Sequence, residues 1–588
     1  MFKCKEFIFA LLILFFLSFS FYPTVFELSK ANRLTDSNRE FILEHNFYWP
    51  DFNLYLSKIR QGTEGHWTAV EKYTSEIHEG SLIQEFYVIL GELGRIFGMN
   101  PNSTYQLGRM VLSPLLLLMI LVLVRYFFPS FIWQVTAFII ILVSGSFPRF
   151  YIDGGGVAQV GRYMEWWSNI DALQRITFIP HILFGQVVSF FLLYQLTALR
   201  FTLNAKKLII LILLGNAVGL VFPPSLMTLI GVLALLVLVN IWRTYRTDPA
   251  VRHFIQNISS GINISALQKF SPSSLRDIRK ILVFIFFSAG SFISLLYILI
   301  ITRQVPWSSL IIFHQTHPML IPFSDYILGT GPVFFLAIFG CIISVVKRDR
   351  KFQPLIFWLI VTFAFALLFT HVKEQSPLRF TQTGLFIPLG ILGTYFFYWL
   401  YQIISGKMLA KTGEEAAILA KLGVISLIIF YIGENMYMMK VSLEWQTNFI
   451  TQRAVATIPL VPYPPQTMYP LKAWMDGIRW LRHTTNHNSV VLAEITAGNY
   501  IPAYAGNFVY FGQSNTVDYN RKGGEVDRFF KGEMTQDEAK ELFRNGRIDY
   551  VFFSVQEKEV SGGHPPTDFY PFLQPIYQNS LVTIYRTD

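Results

Sequence analysis

Long, nearly uncharged apolar runs recur along the chain, near 7–27, 110–128, 130–147, 178–199, 207–222, 225–242, 281–302, 330–346, 353–371, 385–405 and 419–440. A helix needs about 17–25 such residues to cross the hydrocarbon core of a bilayer. Backbone groups in hydrocarbon must bond within their own segment, so runs of this length imply helices rather than loops or open strands. The expected fold class is a polytopic α-helical membrane protein with about eleven transmembrane helices. Composition agrees: the 588 residues are 52% hydrophobic and 15% charged, whereas soluble domains carry about 25% charge. With 56 Phe the chain is also far from the composition of a disordered coil. Its two cysteines, Cys4 and Cys341, exclude a disulfide framework.

The net charge of +10 would suggest a nucleic-acid partner in a soluble protein. Here the basic residues follow topology. With the N-terminus inside, the inside loops hold about twenty Lys and Arg. The acids there are Glu6, Asp248, Asp277, Asp349, Glu414 and Glu415. The first run follows Lys3 and Lys5 but precedes no small-x-small cleavage site, so it reads as a retained span rather than a signal peptide. The same alternation puts 28–109, 148–177, 303–329, 372–384 and the tail on the outer side. The expectation is a multi-pass protein of the plasma membrane, with a cytoplasmic N-terminus, an extracytoplasmic C-terminal domain and no nucleic-acid partner.

The chain divides into a membrane domain over 1–444, with its long first outer loop at 28–109, a Pro-rich linker over 445–471, and an extracytoplasmic α/β domain over 472–588. In the last, 472–483 has the pattern of an amphipathic helix. "SVVLAE", "FVYFG", "IDYVFFS" and "LVTIYRT" read as strands. "TQDEAKELFRNGR" reads as a helix with Thr535 as its N-cap. The prolines of "IPLVPYPPQTMYP" make a stiff connection that would hold this domain near the membrane surface.

Chemistry is expected in the outer loops. Asp51 follows "YWP" at the membrane surface, where a partly desolvated carboxylate can be a stronger base or a metal ligand; the plainer reading is a cap on the helix of "NLYLSKIR". In the second loop "DGGGVAQVG" lacks the preceding strand and the Gly-Lys-Ser/Thr of a nucleotide site, so its glycines read as a turn or close packing. Glu165, Arg175 and His181 are candidates there, Arg175 and His181 standing where functional ionisable residues and interfacial anchors both occur. "VFPPSL" joins two spans by a tight turn that could floor a substrate cavity. His314 and His317 have metal-like spacing without a third ligand. Arg379, at the entry to a span, either binds a lipid-linked phosphate or snorkels to ordinary headgroups.

This layout resembles the GT-C fold glycosyltransferases, prokaryotic type, which take sugars from polyprenyl-phosphate carriers. Three stretches carry the resemblance beyond the architecture: "WPDFNLYLSKIRQG", "SPLRFTQTGLFIPLG" and "WMDGIRWLRHTTNHNSVVLAEITAGNYIPAYAGN". It implies a lipid-linked sugar donor, an acceptor on a glycan, lipid or protein, and contact with membrane lipids. Asp51 would be the general base or a metal ligand and Arg379 would bind the carrier phosphate. Asn53, Arg60, Glu165, Arg175, His181 and His314 would line the substrate site, with Glu64, Glu71 and Glu79 in reserve. Many members carry two acids where this chain has Asp51-Phe52-Asn53, so no cofactor is assigned, although Asp51 leaves room for Mg or Mn. "LAEITAGNY" stands where oligosaccharyltransferases carry WWDYG, which argues against transfer to a protein asparagine. Two other functions fit the spans: a lipid or polysaccharide flippase, and an inactive envelope-assembly scaffold. Transporters usually place ionisable residues at mid-span, and the span centres here are nearly uncharged.

Overall fold

The structure is a computed structural model. It describes residues 2–36, 38–45, 49–163, 171–198, 204–256, 270–318, 320–405, 414–456 and 469–587. Its main helices begin with α1 Phe2–Leu28, α2 Trp49–Thr63, α3 Glu85–Ile96, α4 Pro101–Phe127 and α5 Phe131–Val143. After a hairpin of β1 Pro148–Ile152 and β2 Ala158–Arg162 come α6 Pro180–Thr197, α7 Ala205–Val221, α8 Pro223–Thr247 and α9 Pro272–Ile301. Then follow α10 Ser308–Thr316, α11 Phe323–Thr330, α12 Pro332–Val346, α13 Gln353–Leu368, α14 Phe386–Ile403 and α15 Glu414–Val455.

All eleven apolar runs are helical. By length and hydropathy, seven helices among the described residues can cross a membrane, or eight if α11 and α12, bent by 90° about Gly331, form one broken span. The rest of the eleven have physical reasons to fall short. Helix α5 has only 13 residues. Helix α6 carries His181, Gln186 and Gln195, which lower its mean hydropathy, and α7 has 17 residues.

The C-terminal domain begins with α16 Lys472–Thr484 and contains α17 Ile495–Tyr504, α18 Tyr519–Phe530 and α19 Gln536–Gly546. Its five-stranded sheet has the order β4-β3-β5-β7-β6, from β3 Val490–Leu492, β4 Phe508–Val509, β5 Ile548–Phe553, β6 Gln574–Gln578 and β7 Thr583–Arg586. Strand β3 runs parallel to β4 and β5, while β7 is antiparallel to β5 and β6. Thr535 caps α19 through a reciprocal pair of bonds with Glu538, as the sequence pattern implies. Helices α17 and α18 and strand β6 have no such signal and lie outside the sequence expectations.

The first long loop fastens this domain to the bundle. Helix α2 packs on α17, where Asn53 Nδ2 donates to Asn499 Oδ1 at 2.7 Å. Arg60 donates to the carbonyls of Ala503 at 2.7 Å and Tyr504 at 2.9 Å. Helices α2 and α3 approach backbone to backbone: a Cβ on Gly91 would lie 2.1 Å from the carbonyl oxygen of Ile59. Helix α3 buries Tyr87, Val88 and Leu90. Its Ile89, Leu93 and Ile96 remain exposed, a two-sided apolar surface that fits the membrane interface.

Helix α15 continues to Val455, past the 445 boundary expected for the linker, and 457–468 lie outside the described residues. Its far end is held by Arg453, which bonds Glu44 at 2.5 Å with both side chains fully buried. Breaking such a pair by removing one charge strands the other and costs about 3–5 kcal/mol. Glu44→Gln should therefore lower the thermal unfolding midpoint of the purified protein in detergent by several degrees, read by scanning fluorimetry. A melting curve unchanged from wild type would show that this pair does not hold α15 in place.

Candidate functional site

Pro50 and Asp51 open α2, with Asp51 in the first helical turn rather than at the cap. Pro fits that turn because its missing N–H would be unpaired there, and the helix dipole favours a carboxylate. Asp51 is half-buried. Burial raises its pKa, and the charge of Arg379 pulls it back down. The two side chains are within electrostatic reach of each other but form no ion pair within 4.0 Å. Tertiary packing thus brings a base-strengthened carboxylate and a guanidinium, far apart in the sequence, into one neighbourhood.

Arg379 sits in a single helical turn, Leu378–Thr381, just before α14. Among the described residues its guanidinium has one hydrogen-bond acceptor, Gln382 Oε1 at 3.3 Å, and no carboxylate within 4.0 Å. It faces a cavity of about 610 Å³. The polar rim holds Arg379, His181, His314, Gln84, Glu374 and Gln375. Apolar side chains of α8, α9 and α13, such as Met227, Leu295 and Phe365, form the remaining wall. Pro223 and Pro224 line it as well, so the paired prolines both turn the chain and floor the cavity. An apolar chamber with a few convergent polar groups suits an amphiphile with an anionic head.

The rim is preorganised. The Tyr87 hydroxyl and His181 Nδ1 share a 2.8 Å hydrogen bond. Tyr55 stacks on Tyr87 with centroids 4.4 Å apart and meets His181 edge-on at 5.4 Å. Tyr55 belongs to the same helix as Asp51, so the stack links the carboxylate's helix to the cavity rim. Burial, then the charge of Arg379, push His314 down to about 4, leaving its imidazole neutral at physiological pH. The buried Nδ1 of His314 and Oε1 of Gln84 have no partner among the described residues. Buried polar atoms normally find one, and these two belong to residues that line the cavity.

The remaining candidates lie elsewhere. Asn53 and Arg60 are turned into the domain contact. Arg175 is buried in the bundle, donating to the Ile141 carbonyl at 3.0 Å with its guanidinium over Phe386. Glu165 lies outside the described residues. Of the reserve acids, Glu71 pairs with Lys58 at 3.3 Å, Glu64 pairs with Arg60 at 3.5 Å, and Glu79 is exposed. His317 is exposed and bonds Thr316. The glycine-rich stretch is a hairpin turn, in which Asp153 Oδ1 accepts from the N–H groups of Gly155 at 3.0 Å and Val157 at 2.9 Å.

A divalent cation at Asp51 would need further oxygen or nitrogen donors. Asn53 Nδ2 is held by Asn499, and among the described residues there is no group of three or more His, Cys, Asp or Glu placed to hold a metal. The donor nearest to Asp51 along its helix, Asn53 Oδ1, is buried without a partner among the described residues.

No family model and no curated protein matches the chain. Solved structures with a similar chain trace include two of one archaeal oligosaccharyltransferase. One is the Archaeoglobus fulgidus oligosaccharyltransferase tethered with an acceptor peptide containing the NVT sequon via a disulfide bond, 12% identical, with TM-score 0.49 over 98% of this chain and 74% of that one. Another is the same enzyme in complex with Zn and sulfate, 12% identical, with TM-score 0.47 over 97% of this chain and 73% of that one.

Sequence reasoning missed Gln84, Glu374, Gln375 and the tyrosine stack. Only the polar break that Gln84 makes in an apolar stretch could have drawn notice; the others have no local signature. The coupling of Asp51 to Arg379 is measurable directly. Arg379→Met removes the cation that favours the ionised carboxylate, so Asp51 should titrate at higher pH than in wild type. Infrared difference titration, with Asp51→Asn as the background, reads this as an upward shift of the protonated carboxyl band's midpoint. An unmoved midpoint would show that the two charges do not communicate.

Proposed function

We propose that the protein is a glycosyltransferase that moves a sugar from a polyprenyl-phosphate carrier to an acceptor hydroxyl at the end of the bundle bearing the C-terminal domain. The observation that carries this reading is Arg379, a guanidinium without a carboxylate partner among the described residues, at the rim of an apolar-walled cavity and in electrostatic reach of Asp51. The sequence resemblance to GT-C enzymes supports the same assignment.

In this reading the apolar wall takes the carrier's hydrocarbon and Arg379 takes its phosphate. Asp51 removes the acceptor's proton as the acceptor oxygen attacks the anomeric carbon. The bond from that carbon to the phosphate oxygen breaks, and its electron pair leaves with the phosphate. Arg379 offsets the charge that develops there. His181, His314 and Gln84 orient the head group, His181 being held by Tyr87. The raised pKa of Asp51 makes it a stronger base than an exposed carboxylate. The distribution of Lys and Arg among the loops supports an outward-facing site, and the resemblance of the outer domain to prokaryotic members supports a prokaryotic plasma membrane.

Asp51→Asn should lower glycan transfer in membrane preparations by about 10²–10⁴-fold, with unchanged protein by immunoblot. Arg379→Gln should lower it by about 10²–10³-fold and raise KM for the lipid-linked donor. Full activity of Asp51→Asn would refute its assignment as the base. Wild-type donor kinetics in Arg379→Gln would refute the phosphate assignment.

A further inference from the structure

A second sizeable cavity, about 330 Å³, lies at the other end of the same three helices. Helix α8 gives Pro224 to the first cavity and Arg243 to the second; α9 gives Leu299 and Lys280; α13 gives Phe365 and Pro354. At 1.5 Å per residue the path along α8 from Pro224 to Arg243 is about 28 Å. That is close to the ~30 Å hydrocarbon thickness of a bilayer. The polar ends of the two cavities are therefore spaced like the headgroup levels of opposite leaflets, while their apolar walls approach each other along α8, between Gly231 and Leu236.

Their chemistry differs. Four cations, Arg243, Arg276, Lys280 and Arg350, line the second cavity against a single carboxylate, Asp277. Arg243 bonds Asp277 at 2.5 Å, each about one-fifth exposed, so one guanidinium is fixed in place while cations still outnumber the acid. Leu236 and Phe284, one to two turns deeper along α8 and α9, also line it. This is a basic pocket between spans, continuous with apolar side chains at membrane depth. That combination matches an anion carried on a hydrocarbon anchor better than a free one.

We propose that this cavity binds the phosphate group of an anionic phospholipid headgroup in the leaflet opposite the C-terminal domain. The phosphate lies among the guanidinium and ammonium groups, and the first carbons of its acyl chains lie on Leu236 and Phe284. Nothing in this assignment depends on the glycosyltransferase reading, because it rests on the opposite end of the bundle.

The test uses purified full-length protein in nanodiscs of phosphatidylcholine with phosphatidylglycerol, released into detergent and examined by native mass spectrometry. Arg276 and Arg350 are exposed, so their replacement leaves the packing intact; equal melting points in pure phosphatidylcholine check this. The wild type should retain phosphatidylglycerol, and the Arg276→Gln/Arg350→Gln variant about tenfold less. Lys206→Gln/Lys207→Gln removes as many charges from exposed sites at the same end but outside the cavity, and should retain as much as wild type. Equal retention by the cavity variant, or equal loss in both variants, would overturn the proposal. Titration of inorganic phosphate into protein in pure phosphatidylcholine should show no saturable binding. Saturable phosphate binding that the cavity variant loses would assign the site to a free anion instead.

Discussion

A peptide group inside hydrocarbon has no water to bond, and every larger feature of this molecule follows from that. The chain satisfies its backbone within helices where it is most apolar. Irregular backbone is pushed to the helix ends, and there the side chains able to do chemistry collect. Both cavities lie at such ends, and α8, α9 and α13 wall each of them. The tight connection at Phe222, followed by Pro223 and Pro224, is the sharpest case: the shortest link between two spans also forms the floor of the larger cavity.

Charges obey the same economy. Glu44 with Arg453, Lys58 with Glu71, and Arg162 with Asp171 are buried and mutually compensated. Pairs of this kind hold α15, the first long loop and the second loop in position. Arg379 departs from the pattern, with only an amide oxygen as its partner among the described residues. A half-buried cation without an ion-pair partner among the described residues is costly unless something anionic visits it. Asp51 lies close enough to feel that cation without neutralising it. This is the condition for a base that stays available to a third party.

The apolar runs were legible because their signal is local and long: nothing else accounts for so many stretches of that length and composition. Helix α19 was legible because Thr535 and Glu538 form a short-range cap. Helix α17 was not, since "ITAGNY" has mixed propensities and is held by Asn53 of α2 and by Tyr73, far away in sequence. Asp51 and Arg379 stood out because each is a charged residue at a membrane entry. The fate of Asn53 and Arg60, two and nine positions beyond Asp51, could not be read. Residues on one helix point in several directions, and which direction meets the C-terminal domain depends on packing. Arg175 belongs to the same class of error: a lone Arg near a span's end looks the same in sequence whether it faces a ligand or donates to a backbone carbonyl.

Helix α15 has 42 residues, or about 63 Å at 1.5 Å per residue, roughly twice the hydrocarbon thickness. It is an uninterrupted rod with one part among the spans and the other, through Ser442 and Arg453, fastened to Asp171 and Glu44. A rod of that length is a lever. A tilt of a few degrees within the lipid becomes a displacement of several ångströms at its far end. Bilayer thickness, which sets such tilts, thereby acquires a mechanical route to the segment that precedes Asp51.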